Sequence, residues 1–192
     1  MESNKRLRRF KIPTVRSLDN IAVHYLSRYA ASEFSLRRVL ENRLRRAAGR
    51  NAEFSGNDML QNELRVAIDS IVDKHKKSGV LNDVAYAEMK TASLRRAGRS
   101  ARAIKVKLSR RGIAVPLIER SLEQSAEGMD AEAVELKAAM ALARRRRLGP
   151  FRTKDGGPEA ARKDLAALAR AGFSFAIAKQ VLGKNVDEAD DL

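Results

Sequence analysis

A fifteen-residue stretch of this chain recurs sixty residues further on. Residues 108–122 read LSRRGIAVPLIERSL and residues 168–182 read LARAGFSFAIAKQVL. At that offset Leu108 pairs with Leu168, Arg110 with Arg170, Gly112 with Gly172, Ile113 with Phe173, Val115 with Phe175, Leu117 with Ile177 and Leu122 with Leu182. A recurring Leu-x-Arg-x-Gly-apolar unit means a chain built from repeated helical modules. Stacked modules present extended surfaces rather than one enclosed pocket. The expectation is a protein that lies along another macromolecule.

The composition agrees with helices. Ala, Leu, Arg, Lys and Glu dominate, and aromatic residues make up only 5% of the 192 residues. Thirty-nine Lys and Arg face twenty-four Asp and Glu, a net charge of +15, which favours a polyanionic partner, either nucleic acid or an acidic protein surface. The excess is concentrated at the start: residues 1–50 carry 13 basic and 4 acidic side chains. Asp187, Glu188, Asp190 and Asp191 make a short acidic tail. The chain contains no cysteine, so disulfides, thiolate metal sites and a Cys nucleophile are excluded. No apolar run follows the basic N-terminal residues, and no stretch approaches eighteen apolar residues, so neither a secretory signal nor a membrane span is expected. The expected setting is the cytoplasm.

Read in order, the pattern predicts a basic flexible arm over 1–17, three repeats over 18–78, 79–128 and 129–183, and the acidic tail over 184–192. Apolar residues from Leu18 to Tyr29 recur at spacings of three and four from a start near Ser17. Ser32 caps a second helix with the stripe Leu36, Val39, Leu40 and Leu44. Gly49 to Asn57 reads as a polar linker, and Asp58 to Lys77 as a long helix ended by Ser78-Gly79. Asn82 or Asp83 caps the next helix, Gly98 stops it, and Ser100 caps its successor, which ends at Gly112. Pro116 sits in the first turn of the following helix, where its missing N–H costs nothing. Helices from about Asp130 to Arg147 and from Glu159 to Ala171, with a short one reaching Leu182, complete the third group. A loop rich in Gly and Pro separates the first two of these. The sum is an all-α fold of nine helices in three groups of three, read as three tandem three-helix repeats.

The chain shows no constellation for chemistry. There is no phosphate-cradling G-x-x-x-x-G-K-[ST] sequence. His24 and His75 lack any metal-ligand context and read as ordinary helix-surface residues. No catalytic residue, metal or cofactor is expected, and the chain is not expected to be an enzyme. The turn Arg110-Arg111-Gly112-Ile113 resembles a helix-turn-helix, but the helix after it carries Glu119, Glu123 and Glu127 against one Arg120. Three carboxylates do not suit a groove lined by phosphates, so the turn reads as part of a three-helix unit. The candidate binding residues are basic: Arg37 and Arg38, then Arg95, Arg96, Arg99, Arg102 and Lys105, then Arg110 and Arg111, and the run Arg144, Arg145, Arg146 and Arg147. Few aromatic residues lie among them, so base stacking is not their expected role.

These residues resemble the RecX family of bacterial regulatory proteins. The resemblance is carried by Tyr25-Leu26-Ser27-Arg28 with Ser32 and Leu36-Arg37-Arg38, and by Gly79-Val80-Leu81-Asn82-Asp83 with Tyr86-Ala87. It continues through Gly98, Ser100, Lys107-Leu108 and Arg111-Gly112-Ile113 to Leu168, Gly172 and Phe173. It spans about residues 18–183. The chain departs from the family pattern at Gly49-Arg50-Asn51 and in a longer Pro150–Pro158 loop. The resemblance implies a curved, elongated protein of three three-helix repeats that binds the RecA recombinase filament in its helical groove; a monomer is expected. It implies modulation, usually inhibition, of ATPase, strand-exchange and co-protease activities, with weak non-specific DNA binding besides. The alternative from the residues alone is a protein acting directly on DNA, as a repressor or architectural factor.

Overall fold

The computed structural model describes residues 11–126, 128–153 and 157–183. The acidic tail, most of the basic arm, Glu127 and residues 154–156 of the Gly/Pro loop lie outside the described residues. Among the described residues there are ten α-helices and one 3-10 turn, and no strand. The order is α1 (Val15–Leu26), α2 (Glu33–Ala48), α3 (Ala52–Ser55), α4 (Asp58–Lys77), α5 (Asp83–Arg96), α6 (Ala101–Ser109), α7 (Val115–Gln124), α8 (Ala131–Arg146), α9 (Gly157–Arg170) and α10 (Phe175–Gly183). The 3-10 turn, Gly149–Phe151, lies between α8 and α9. The chain divides into two compact units, Met1–Asp83 and Val84–Leu192.

In the first unit α1, α2 and α4 enclose Leu18, Leu36, Leu40, Ile68 and Val72. Helix α1 begins at Val15, two residues before the expected start. The reason is a capping box: Ser17 N–H donates to Thr14 Oγ1, and Thr14 N–H donates to Ser17 Oγ. Apolar periodicity begins only at Leu18 and does not register that cap. The tenth helix is α3, which forms where a linker was expected. Asn51 accepts from Phe54 N–H, and the Phe54 ring is 0% exposed. One aromatic in a polar stretch has folded inward, closing the core between α2 and α4.

Two polar contacts tie this unit together. Asp83 Oδ1 accepts from the backbone N–H of Glu33 at 2.8 Å, satisfying an orphan donor of α2 from fifty residues away. Partial burial pushes the Asp83 carboxyl above the usual carboxylate range, and the Glu33 N–H opposes that shift. His75 is not a surface residue. It is 7% exposed on the inner face of α4, beside Ile71 and Val72, with Nε2 3.6 Å from Asp19 Oδ1.

The second unit holds six helices around two apolar clusters. Tyr86, Ala87, Leu94, Ile104, Leu108, Ile113 and Ile118 form one from α5–α7. Ala139, Leu142, Ala143, Leu168, Phe173, Ile177 and Val181 form the other from α8–α10. A polar seam joins the two trios. Glu135 of α8 accepts from Arg95 at 2.5 Å and from the first N–H of α6, Ala101, at 2.7 Å. A carboxylate at a helix N-terminus is stabilised by both the free N–H and the helix dipole. Gly98, at φ +67, lies so close to α8 that a Cβ there would sit 2.6 Å from the Leu142 backbone nitrogen. Only glycine fits both demands. In the third group Asp164 is buried and anchors the chain after α8, accepting from Gly149 N–H at 2.8 Å and from Arg152.

Candidate functional site

Helix α6 is capped by Ser100, whose hydroxyl accepts from Ala103 N–H. Ile104 and Leu108 turn into the core, so the 3.6-residue period leaves Arg102, Val106 and Arg110 on an outer face. The end of α9 lies opposite. Between them runs an open cleft of about 680 Å3. The small residues Ala103, Ala169, Ala171 and Gly172 form part of its lining. Its rim carries Arg99, Arg102, Lys107, Arg110, Arg111 and Arg170, and among the described residues no carboxylate lines it. Guanidinium and ammonium groups are cationic at any physiological pH, so the cleft holds a standing positive field. Such a rim offers forked hydrogen bonds to carboxylates or phosphates.

The sequence candidates separate into groups. Arg99, Arg102, Arg110 and Arg111 come together in this cleft. Lys107 and Arg170 join them and were not among the candidates. Both were legible: Arg170 is the repeat counterpart of Arg110, and Lys107 belongs to the Lys107-Leu108 pair that carries the resemblance. Arg96 is exposed outside the cleft. Arg95 is turned inward and held by Glu135 and the Arg99 carbonyl. Lys105 faces a second cavity and pairs with Glu119 at 3.1 Å.

In the first unit Arg37 is held by Asp69 and Glu33, and the Asp69 contact raises its pKa further. Arg38 is exposed, its guanidinium 5.8 Å from the Phe34 ring centre. Arg144 to Arg147 are all exposed at the end of α8 and lie outside the cleft. Arg144 stacks over Phe151 at 5.1 Å, and Arg147 ends the helix in the left-handed conformation, φ +55. Among the described residues no group of three His, Asp or Glu could hold a metal ion, and no helix is long and apolar enough to cross a membrane.

Residues 82–122, which carry α6 and one wall of the cleft, match the family model described as RecX, second three-helix domain. The regulatory protein RecX of Myxococcus xanthus (strain DK1622) is 46% identical over 169 residues, covering 88% of this chain and 85% of that protein. The regulatory protein RecX of Agrobacterium fabrum (strain C58) is 31% identical over 156 residues, covering 81% and 80%. The crystal structure of RecX from Lactobacillus salivarius shares the fold, with a TM-score of 0.59 at 20% identity over 93% of this chain and 97% of that one. The all-helical fold, the ordered repeat signatures and these similarities agree: the chain belongs to the RecX family of regulatory proteins.

Proposed function

We propose that the protein is a non-enzymatic regulator that binds the RecA recombinase filament in its helical groove and lowers its ATPase, strand-exchange and co-protease activities. It acts in the cytoplasm as a monomer. The observation that carries this reading is the cationic cleft between α6 and the end of α9, lined by six Arg and Lys side chains. It lies where two repeated trios meet, and it suits an acidic protein surface on an extended partner. The test is ATP hydrolysis by RecA on DNA, with DNA in excess over any sites the protein could occlude. Hydrolysis should fall and saturate at a fixed ratio of this protein to RecA subunits. Unchanged hydrolysis throughout the titration overturns the reading.

The same cleft supports a second reading, direct binding to DNA through its phosphates. The two separate at about 150 mM salt, where the Debye length is about 8 Å and loose phosphate attraction is screened. The regulator stays on RecA–DNA filaments and leaves naked DNA under those conditions. Equal retention on both, with RecA hydrolysis untouched, favours the DNA reading.

A further inference from the structure

The sixty-residue repeat is also a repeat of the surface. Leu108 and Leu168 are both buried, as are Ile113 and Phe173, Ile118 and Ala178, and Ser121 and Val181. Those positions match because each trio has to close a core. Two exposed positions keep their chemistry as well. One is Arg110 and Arg170, both on the rim of the basic cleft. The other is Val115 and Phe175, which are 58% and 67% exposed and open the third helix of their trios. The core takes its apolar residue from Ile113 in one turn and Phe173 in the other. Packing therefore gives no reason for a second apolar side chain two residues later, in water, in both copies. Single exposed apolar residues are ordinary. The same register twice, each five residues after an exposed arginine, calls for a cause outside the core.

We propose that Arg110 to Val115 and Arg170 to Phe175 are two copies of one docking element. They engage two equivalent sites on a partner assembled from identical protein subunits, each site an apolar pocket edged by carboxylates. The inference rests on the filament reading above and names the chemistry of that contact. The cationic rim, with Arg110 and Arg170 exposed on it, supplies the charge complementarity. A phosphate backbone has no apolar pocket to receive Val115 or Phe175, so a nucleic acid leaves both side chains unsatisfied. The seam through Glu135, Arg95, Ser100 and Ala171 fixes the two elements relative to each other. A fixed spacing suits a partner with a fixed subunit repeat. Once the first element is engaged, the second binds at a high effective concentration.

The experiment compares the parent with Val115→Ser, Phe175→Ser and the double variant. Binding is measured to RecA filaments on DNA and to naked DNA at the same moderate salt, with helix content and thermal unfolding as controls. Both side chains are mostly in water, so the variants should fold as the parent does. Each single change is expected to weaken filament binding roughly tenfold, the usual effect of losing an interface anchor. The double variant is expected to lose about the product of the two, with naked-DNA binding unchanged. If only one single change matters, the element is not duplicated and the proposal fails. If parent and double variant bind filaments equally, the docking element fails while the regulator reading stands. Equal weakening on naked DNA transfers the element to nucleic acid and overturns the proposal. A parent that does not bind filaments at all overturns both.

Discussion

The hydroxyl of Ser100 donates a 2.8 Å hydrogen bond to the carbonyl oxygen of Ala171, seventy-one residues away, while it accepts from Ala103 N–H. One side chain thus caps α6 and ties it to the end of α9. Ser100→Ala removes the cap, worth about 1 kcal/mol. It also strands the Ala171 carbonyl, which adds about 1 kcal/mol or more. The expected loss is about 2 kcal/mol in urea unfolding. Asn57→Ala, at the exposed cap of α4, is expected to cost about half of that. Equal losses for the two would mean that the Ala171 contact contributes nothing.

Gly98 and Gly79 both have positive φ, +67 and +75, but a Cβ at Gly79 meets nothing within 4 Å. Gly79→Ala should therefore show only the left-handed backbone cost of about 1–2 kcal/mol. Gly98→Ala adds a collision with the backbone of α8 at Leu142 and Ala138, so it should lose at least about 2 kcal/mol more than Gly79→Ala, within the range of overpacked cores. Thermal unfolding of the two variants side by side checks the difference.

Asp19 gives a pH dependence. The hydrogen bond from Lys74, 2.8 Å, holds its carboxyl below the ordinary value, opposed by some desolvation and helped by the Lys74 and His75 charges. Its folded pKa is lower than its unfolded one, so the contribution is fully present above the unfolded value, about 3.9. It is lost as pH falls through the folded value. The contact is partly open to solvent, so Asp19→Asn should cost only about 0.2–1 kcal/mol at pH 7. The gap to the parent should close in acid. A gap that persists at pH 2 would assign the loss to packing instead.

The cleft and the arginine run separate by charge reversal. Arg102→Glu with Arg110→Glu places two carboxylates in the cationic cleft and is expected to weaken binding to RecA–DNA filaments at least about tenfold, more at low salt than at high. Changing Arg144 to Arg147 together to Ala removes four exposed charges outside the cleft, each worth about 0.2–1 kcal/mol at most. Helicity should survive both. A larger loss from the arginine run than from the cleft would move the binding face to the end of α8.

Helix identity was legible wherever a cap or a glycine coincided with the apolar period. Ser32, Ser100, Gly98 and Gly112 mark helix ends in the chain as they do in the structure. Helix α3 was not legible, because four residues carry no period and Phe54 has meaning only against the pocket that α2 and α4 leave. His75 was misread for a related reason. It follows the stripe Ile68, Ile71, Val72 at helical spacing, but its polarity suggested water, and only the neighbouring α1 with Asp19 shows why it turns inward.

That this protein is all-helical, repeated and strongly cationic is written in its residues alone. Those properties follow from local propensity, periodicity and a count of charges, none of which needs a partner element. Which cations stay exposed is a matter of packing. Arg95 and Arg110 are indistinguishable as letters in a basic stretch. Folding sets Arg95 against Glu135, forty residues away, and leaves Arg110 on the rim of a cleft whose other wall is α9. Whether a charge is neutralised or free is settled by what the rest of the chain brings next to it.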